Sequence, residues 1–232
     1  MKPEETDRKK EISLKEVALF NGLDNAQLRD VARISVLRRY KKGEYVFKEN
    51  TPGNALYIIV SGIVKIFKVS KQGRRKTLAL LKKGDFFGEM AGLDRQARSA
   101  NAQALEDVEV LIIRQETFEK SLKRNPGIAI NIMETLCARL RSADSQIEDL
   151  AFRNVMGRIG TTLLELAQKH GIRTKDGIRI DLKLSHREIA EMAGTARELA
   201  TKVLARLKRN GCLKVIDNQI YIVPRKLSGW IH

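Results

Sequence analysis

Residues 184–211 read LSHREIAEMAGTARELATKVLARLKRNG, and this stretch predicts two short helices joined by a tight turn. Ser185 and Glu188 form an S-x-x-E capping box, in which each side chain satisfies a backbone donor at the start of a helix. Three apolar residues then fall on one face of that helix: Ile189, Met192 and Ala193. Gly194 follows them and supplies the conformational freedom that a tight turn needs.

A second helix is predicted to begin at a T-x-x-E capping box, formed by Thr195 and Glu198, and to end near Gly211. Its apolar side carries four aliphatic residues: Leu199, Val203, Leu204 and Leu207. Its opposite side carries polar residues of the types that hydrogen-bond to DNA: Arg197, Glu198, Thr201, Lys202 and Arg206. Two capped helices with a glycine between them are typical of a helix-turn-helix. The alternative is an ordinary helical hairpin whose charged face is solvated.

The residues after this stretch predict a wing. The runs LKVID and IYIV read as two strands, joined by a tight turn at Asn218 and Gln219. Lys208 and Arg209 lie at the end of the second helix and Lys214 lies in the wing. These residues would contact DNA phosphates or form a solvated face. The complete set of candidate DNA-binding residues is Ser185, Arg197, Glu198, Thr201, Lys202, Arg206, Lys208 and Lys214.

The composition favours a polyanionic partner. Lys and Arg outnumber Asp and Glu by 44 to 28, so the formal net charge is +16, a balance that suits nucleic acid or an anionic surface. No apolar segment is long enough to span a membrane, and the N-terminal residues MKPEETDRKKEIS are charged. We therefore expect a cytoplasmic protein with no membrane partner.

The sequence offers little support for metal or redox chemistry. Cys137 and Cys212 lie far apart without a C-x-x-C motif, and residues 40–113 contain no His or Cys. We therefore expect no metal, no haem and no iron–sulfur cluster. The chain also lacks a nucleophile–base pair, metal-ligand spacing and a Walker-type loop, so we do not expect an enzyme.

Two segments upstream differ in their pattern. Residues 14–37 have helical periodicity. From about Tyr40 to Ile113, short β runs alternate with glycine-marked turns, as in an antiparallel sandwich or barrel. These runs are EYVF, ALYIIVSG, IVKIFKV, KTLALL, GDFF and VEVLII.

From Pro126 to about Phe152, apolar residues recur at alternating steps of three and four. These seam residues are Met133, Leu136, Leu140, Ala143, Ile147 and Leu150. Such a heptad pattern usually faces a partner helix, and the same helix in a second chain is the simplest partner. The alternative is a single helix that packs its stripe onto the β region. Cys137 beside the seam is expected to be a mostly buried thiol, and Asn154 suits the N-cap of the next helix, which places a hinge at 152–154.

A β sensor, a long helix and a winged helix-turn-helix, in that order, resemble the catabolite activator (CRP/FNR) superfamily of bacterial transcription regulators. The likeness covers residues 14–224. It rests on three sequence words: GDFFGEMAGL with ARSA at 84–100, LAFRNVMGRI at 150–159, and LSHREIAEMAGTARELATKVL at 184–204.

The resemblance implies an α+β fold in three parts. Residues 1–125 would form an antiparallel, jelly-roll-like β-roll of the cyclic-nucleotide-binding kind, residues 126–153 a long dimerisation helix with the hinge, and residues 154–232 the winged helix-turn-helix. It also implies a homodimer that binds double-stranded DNA and contacts RNA polymerase, as an activator or a repressor.

By the same resemblance, Arg197, Glu198 and Lys202 take the places of the Arg-Glu-x-x-x-Arg pattern that reads a TGTGA-like half-site. Lys202 is a departure, because lysine lacks the planar fork of arginine, so discrimination at that base pair should be softer. The segment Gly194–Arg197 does not carry the Glu-x-x-Ser-Arg pattern of the oxygen-sensing branch.

The segment GEMAGLDRQARSA at 88–100 resembles the phosphate-binding cassette of cyclic-nucleotide domains. The resemblance implies that Gly88 lets the backbone approach the ligand, Glu89 holds the ribose 2′-hydroxyl, and Arg98 and Ser99 bind the phosphate. The implied effector is cyclic AMP. The full set of candidate effector-binding residues is Gly88, Glu89, Met90, Ala91, Arg98, Ser99, Ala143 and Asp144.

Two departures keep other effectors open. The spacing from Glu89 to Arg98 is one residue shorter than in the cyclic AMP receptor, and Ala143-Asp144 replaces a Thr-Ser pair that contacts adenine there. Asp144 can accept a hydrogen bond from the adenine amine but adds negative charge beside a phosphate. The alternatives are another nucleotide or small anion, and an effector-independent regulator whose Glu89 and Arg98 pair with each other. A cyclic-nucleotide regulatory subunit of an enzyme would share the sensor alone.

Overall fold

The computed structural model describes residues 10–230, so most of the charged N-terminal segment and the last two residues lie outside the described part. The chain divides into two compact units. Of the described residues, 10–68 and 78–140 belong to the first unit, and 69–77 and 141–230 belong to the second.

Two four-stranded sheets dominate the first part of the chain. In chain order their strands are β1 Val36–Tyr40, β2 Tyr45–Phe47, β3 Ala55–Ser61, β4 Val64–Val69, β5 Arg75–Leu81, β6 Phe86–Phe87, β7 Asn101–Ala104 and β8 Val108–Arg114. One sheet has the order β1-β8-β3-β6 and the other β2-β7-β4-β5. The pairs β1–β8 and β4–β7 are antiparallel, with Val36 opposite Ile112 and Val64 opposite Ala104. All six β runs predicted from the sequence are therefore confirmed as strands.

Strand β3 is buried on both faces, and its successive side chains point alternately into two hydrophobic cores. Leu56, Ile58 and Val60 pack with the N-terminal helices and the start of the long helix. Tyr57 and Ile59 point the other way and pack between the sheets, with Phe87 and Val110. Helices on one side of a sandwich agree with the expected α+β class.

Helices flank this sandwich along the chain. They are α1 at residues 10–15, a 3₁₀ turn at Ala18–Phe20, α2 Asn25–Ile34, α3 Glu89–Asp94, α4 Gln115–Arg124 and α5 Pro126–Phe152. Helix α2 starts at a capping box, where Asp24 Oδ1 accepts from Gln27 N at 2.9 Å and Gln27 Oε1 accepts from Asp24 N at 2.9 Å.

The predicted helical segment at 14–37 ends earlier than expected. Ser35 leaves the helix with extended backbone, and its hydroxyl donates to Ala32 O at 2.8 Å. Residues 36–40 then form β1 because they pair with β8. Strand β7 and helix α4 were also not predicted, since NAQA has no apolar run and α4 buries only Phe118.

Helix α5 has the predicted bounds and two different apolar stripes. Ile128 and Ile132 are buried, and Leu136 packs against the same core. The remaining seam residues are exposed in this chain: Met133, Leu140, Ala143, Ile147 and Leu150. Cys137 is exposed too, so the prediction of a mostly buried thiol is wrong for the chain by itself.

The second unit combines helices with a small sheet. Its elements are α6 Val155–His170, β9 Gly171–Thr174, β10 Gly177–Ile180, α7 His186–Ala193, α8 Arg197–Arg209, β11 Leu213–Ile216, β12 Gln219–Ile222 and α9 Pro224–Ser228. The sheet has the order β11-β12-β10-β9. Ile159, Leu163, Ile189, Leu207 and Ile222 are fully buried and hold the helices to the sheet.

Two details of this unit differ from the expectation. The wing turn lies at Asp217 and Asn218, one residue before the predicted position, because Ile216 pairs with Gln219. Both turn residues have positive φ, at 49° and 59°, as the right-handed twist of a two-residue hairpin requires. The hairpin of β9 and β10 was not predicted, because its two short strands contain no continuous apolar run. These residues form strands through the pairing of β10 with β9 and with β12.

Candidate functional site

The cassette begins at a tight turn into α3. Gly88 precedes α3 with φ 83°, and a Cβ there would lie 2.6 Å from Arg98 Nη1. Gly53 faces the same cluster, since a Cβ on it would lie 2.4 Å from the Ala91 Cβ and 2.8 Å from Arg98 Nε. Only glycine leaves the space that Arg98 occupies at these two positions.

Arg98 is buried, with 3% of its surface exposed. Its Nη1 donates to Gly88 O at 2.7 Å and its Nη2 to Ala55 O at 3.0 Å. The guanidinium stacks 4.3 Å from the ring centre of Phe47 and 5.5 Å from that of Tyr57. Burial lowers the pKa of Arg98 from its ordinary value, and the nearby Tyr57 and Glu89 oppose that effect.

Glu89 is equally buried but does not pair with Arg98. Its Oε1 accepts from Arg139 Nη1 of helix α5 at 2.7 Å. Arg139 also donates to Phe86 O and lies 5.0 Å from the centre of the Phe86 ring. The alternative of a Glu89–Arg98 pair is therefore wrong. Sequence reasoning missed Arg139, because one arginine beside a heptad seam has the pattern of a solvated charge.

Two polar atoms of this site lack partners in the described chain. Glu89 Oε2 is buried and accepts no hydrogen bond from residues 10–230. Arg98 Nε is buried and donates none to them. A buried unsatisfied polar atom costs about 1–3 kcal/mol, more for a charged group. An acceptor and a cationic donor beside the start of α3 fit a ligand that offers a hydroxyl and a phosphate.

The other five predicted effector residues differ in burial and in the unit to which they belong. Ala91 is buried in α3, whereas Met90 and Ser99 are exposed, with Ser99 Oγ donating to Met90 Sδ at 3.7 Å. The structure thus brings six predicted residues together: Gly88, Glu89, Met90, Ala91, Arg98 and Ser99. Ala143 and Asp144 are exposed and belong to the second unit, and their contact with an effector stays a prediction.

The second candidate site is the helix-turn-helix of α7 and α8. Ser185 Oγ accepts from Glu188 N at 3.2 Å, and Glu188 Oε2 accepts from Ser185 N at 2.6 Å, so the first capping box is confirmed. Gly194 ends α7 with φ 62°. The side chain of Arg158 holds this end, with Nε donating to Ala193 O at 2.9 Å.

The second capping box is not formed. Helix α8 begins at Arg197 with Ala196 as its N-cap, and no side chain caps it. Thr195 belongs to the turn instead, where its N–H donates to Ala190 O at 3.0 Å. The start of α8 therefore lies one residue later than predicted, because α7 closes through this long backbone hydrogen bond.

Helix α8 exposes its predicted reading residues. Arg197, Glu198, Thr201 and Lys202 are all exposed. The buried side consists of Ala200, Leu204 and Leu207, which recur at steps of four and three. Leu199 was predicted for that side but is 45% exposed.

The remaining DNA-binding candidates have contacts of their own. The Oγ1 of Thr201 lies 3.0 Å from His186 Nδ1, and Arg206 lies 5.0 Å from the ring centre of Trp230. Lys214 on the wing forms an ion pair with Asp176 at 3.2 Å, and Lys208 is exposed. A groove of about 560 Å³ separates the start of α7 and the middle of α8 from the wing.

Residues 10–230 contain neither a cluster of metal-ligating side chains nor a membrane-spanning helix. No group of three or more His, Cys, Asp and Glu residues lies close enough together there to hold a metal ion. None of the helices described is long and apolar enough to cross a bilayer.

Two known domain families match the two parts of the chain that contain these candidate sites. A cyclic nucleotide-binding domain model matches residues 37–125, and a Crp-like helix-turn-helix domain model matches residues 157–227. The cyclic AMP receptor protein of Thermus thermophilus is 36% identical over 85% of this chain and 88% of its own length. The CRP-like cAMP-activated global transcriptional regulator of Mycobacterium tuberculosis is 29% identical over 90% of this chain and 93% of its own.

A solved structure has the same architecture. The c-di-GMP responsive global regulator CLP of Xanthomonas campestris aligns with a TM-score of 0.77 and 27% identity. The alignment covers 86% of this chain and 99% of that one. The order of β domain, long helix and helix-turn-helix is therefore shared along the chain.

Proposed function

Because the chain belongs to the CRP/FNR family of transcription regulators, we propose that it acts as a homodimer on a pseudo-palindromic operator with TGTGA-like half-sites. A nucleotide bound at the cassette, cyclic AMP in the first place, controls its affinity for that operator. The observation that carries the proposal is helix α8, which follows Gly194 and exposes Arg197, Glu198 and Lys202 together.

DNA recognition follows from the chemistry of these side chains. A bidentate arginine suits the O6 and N7 atoms of guanine, and a glutamate accepts from the N4 amine of cytosine. Both residues lie in the first turn of α8, the end that a recognition helix inserts into the major groove. Lys208 and Lys214 would bind phosphates, and Lys214 would exchange its ion pair with Asp176 for that contact.

The dimer is supported by the exposed seam of α5. Met133, Leu140, Ile147 and Leu150 present large apolar side chains to solvent, and Ile147 is 65% exposed. Packing against the same helix of a second chain would bury them in coiled-coil fashion. Two-fold symmetry then sets two recognition helices on half-sites about 34 Å apart. In this arrangement residues 1–125 would bind the effector, residues 126–153 would form the dimer, and residues 154–232 would bind DNA. RNA polymerase would be the protein partner at the promoter.

The nucleotide is supported by the unsatisfied atoms of the cassette. Glu89 Oε2 can accept from a ribose 2′-hydroxyl, and Arg98 Nε can donate to a phosphate oxygen. The cyclic AMP receptor protein of Thermus thermophilus is named for cyclic AMP, so this nucleotide is the first to test.

The test is a salt series of DNA binding with and without cyclic AMP. A protein that neutralises several phosphates should lose affinity steeply as salt rises. We expect cyclic AMP to raise the affinity for operator DNA at every salt concentration and to leave the affinity for unrelated DNA unchanged. If the nucleotide changes nothing at any salt concentration, the effector assignment fails while DNA binding stands. A flat response to salt and sequence overturns DNA binding itself.

One observation favours a second candidate, an effector-independent regulator. Glu89 already has Arg139 as its counter-charge, and the two Nη atoms of Arg98 already donate to carbonyls. Both charged side chains of the cassette therefore already have hydrogen-bond partners without a ligand. Isothermal titration with cyclic AMP, cyclic di-GMP and inorganic phosphate separates the candidates, because this regulator would bind its operator and give no heat with any of them.

A further inference from the structure

Leu199 is the large aliphatic residue that α8 exposes within the described chain. It is 45% exposed, whereas Leu204 and Leu207 on the same helix are buried. The buried position beside it belongs to Ala200. Leu199 therefore contributes little to the core of the unit, and its size needs another explanation.

The position of Leu199 is next to the proposed reading residues. It is the third residue of α8, directly after Arg197 and Glu198. Residues three apart on a helix are neighbours, so Leu199 also lies beside Lys202. Its side chain thus belongs to the helix end that enters the major groove in the function proposed above, on which this inference rests.

An apolar side chain at that end can make an apolar contact with one group on the base edges. The base edges in the major groove present hydrogen-bond donors and acceptors, and the 5-methyl group of thymine is their apolar group. We propose that Leu199 is a specificity residue that contacts the 5-methyl group of one thymine in each half-site. Burial of that methyl group against Leu199 discriminates thymine from cytosine where no hydrogen bond does.

The test removes the methyl group without changing the base pairing. An operator is first selected from random DNA with the full-length protein in the presence of cyclic AMP. Each thymine of a half-site is then replaced singly by deoxyuridine, and Kd is measured at fixed salt. Loss of one buried methyl group is expected to weaken wild-type binding about fourfold at one thymine, and replacement of the other thymines to have little effect.

Variants of the protein assign that effect to Leu199. L199A should bind more weakly and no longer distinguish thymine from deoxyuridine at this position, whereas L199M should keep the distinction because it retains an apolar side chain of similar size. The matched control is I172A on β9 of the same unit, which removes another exposed aliphatic side chain and should preserve it. Thermal melts should coincide for L199A and the wild type, since Leu199 is exposed.

The possible failures are distinguishable. If an operator is selected but L199A keeps the same sensitivity to deoxyuridine, or the wild type has none, the role of Leu199 is overturned and the proposed function stands. If no sequence is selected at all, the proposed function fails and the role of Leu199 falls with it.

Discussion

Glu89 and Arg98 are two buried charges a few residues apart, yet each is stabilised by a different set of partners. Arg139 balances Glu89, while carbonyl oxygens and two aromatic rings surround Arg98. Transfer of an ion out of water costs several kcal/mol even after the protein relaxes, so each charge needs its own compensation. Glu89 consequently depends on a residue of the long helix.

Arg139→Met should therefore destabilise the protein. The substitution leaves a carboxylate that is only 2% exposed without a counter-charge. We expect the free energy of unfolding to fall by about 2–3 kcal/mol, below the usual range for a broken buried pair because Arg139 is itself partly exposed. Urea denaturation measures this loss. The double variant E89Q/R139M should lose less than R139M, and an equal loss would show that the ion pair is not the cause.

Arg197→Ala tests whether this side chain reads a base. If Arg197 binds guanine, the variant should lose about 1–3 kcal/mol of operator affinity and relax its preference at one base pair. Competition binding with single-base operator variants measures both quantities. Lys208→Ala is the contrast, because a phosphate contact should weaken all sequences alike and reduce the salt slope by about one. A uniform loss for Arg197→Ala would assign it to phosphate contact.

The starts of helices α6, α7 and α8 are stabilised in different ways. Helix α6 begins with Asn154, whose Oδ1 accepts from Gly157 N at 2.9 Å. The break between α5 and α6 falls at Arg153 and Asn154, as the sequence predicts. Helix α7 has a full capping box, and α8 has no side-chain cap at all. The start of α8 is therefore positioned by the turn and by its buried face.

Asn154→Ala removes the cap of α6 without touching the proposed DNA face. The loss of a side-chain cap costs about 1 kcal/mol, so urea denaturation should show a decrease of that size. Asn154→Asp keeps an acceptor at the same place and should remain close to the wild type. A decrease of the same size in both variants would place the effect elsewhere than in the cap.

The exposed seam of α5 is the proposed dimer interface, and a charge placed on it tests that role. Ile147→Glu places a charge in the centre of the proposed helix pair, where burial without a partner is unfavourable. Sedimentation velocity should show the wild type as a dimer and this variant as a monomer. Ser145→Glu adds the same charge two residues away, at an exposed position off the seam, and should remain dimeric. A dimeric Ile147→Glu variant would contradict the seam as the interface.

Much of the fold could be predicted from the sequence, because its signals are local. The six β runs, the bounds of α5, the cap at Asn154 and the first capping box depend on residues a few positions apart. The strands β1, β7, β9 and β10 exist only because a distant strand pairs with them. Their residues carry no strong pattern, so periodicity could not find them.

The residue pattern alone specified the groups available for function: two helices joined at Gly194 with polar residues on one side, a glycine-led cassette with Glu89 and Arg98, and a heptad seam. Only the tertiary structure decided how they are used. It paired Glu89 with Arg139, fifty residues along the chain, and turned Arg98 onto two carbonyls. It also exposed Leu199 by burying Ala200 instead. The physical reason is that local periodicity selects a helix or a strand, whereas burial and charge pairing depend on groups that only the folded chain brings together.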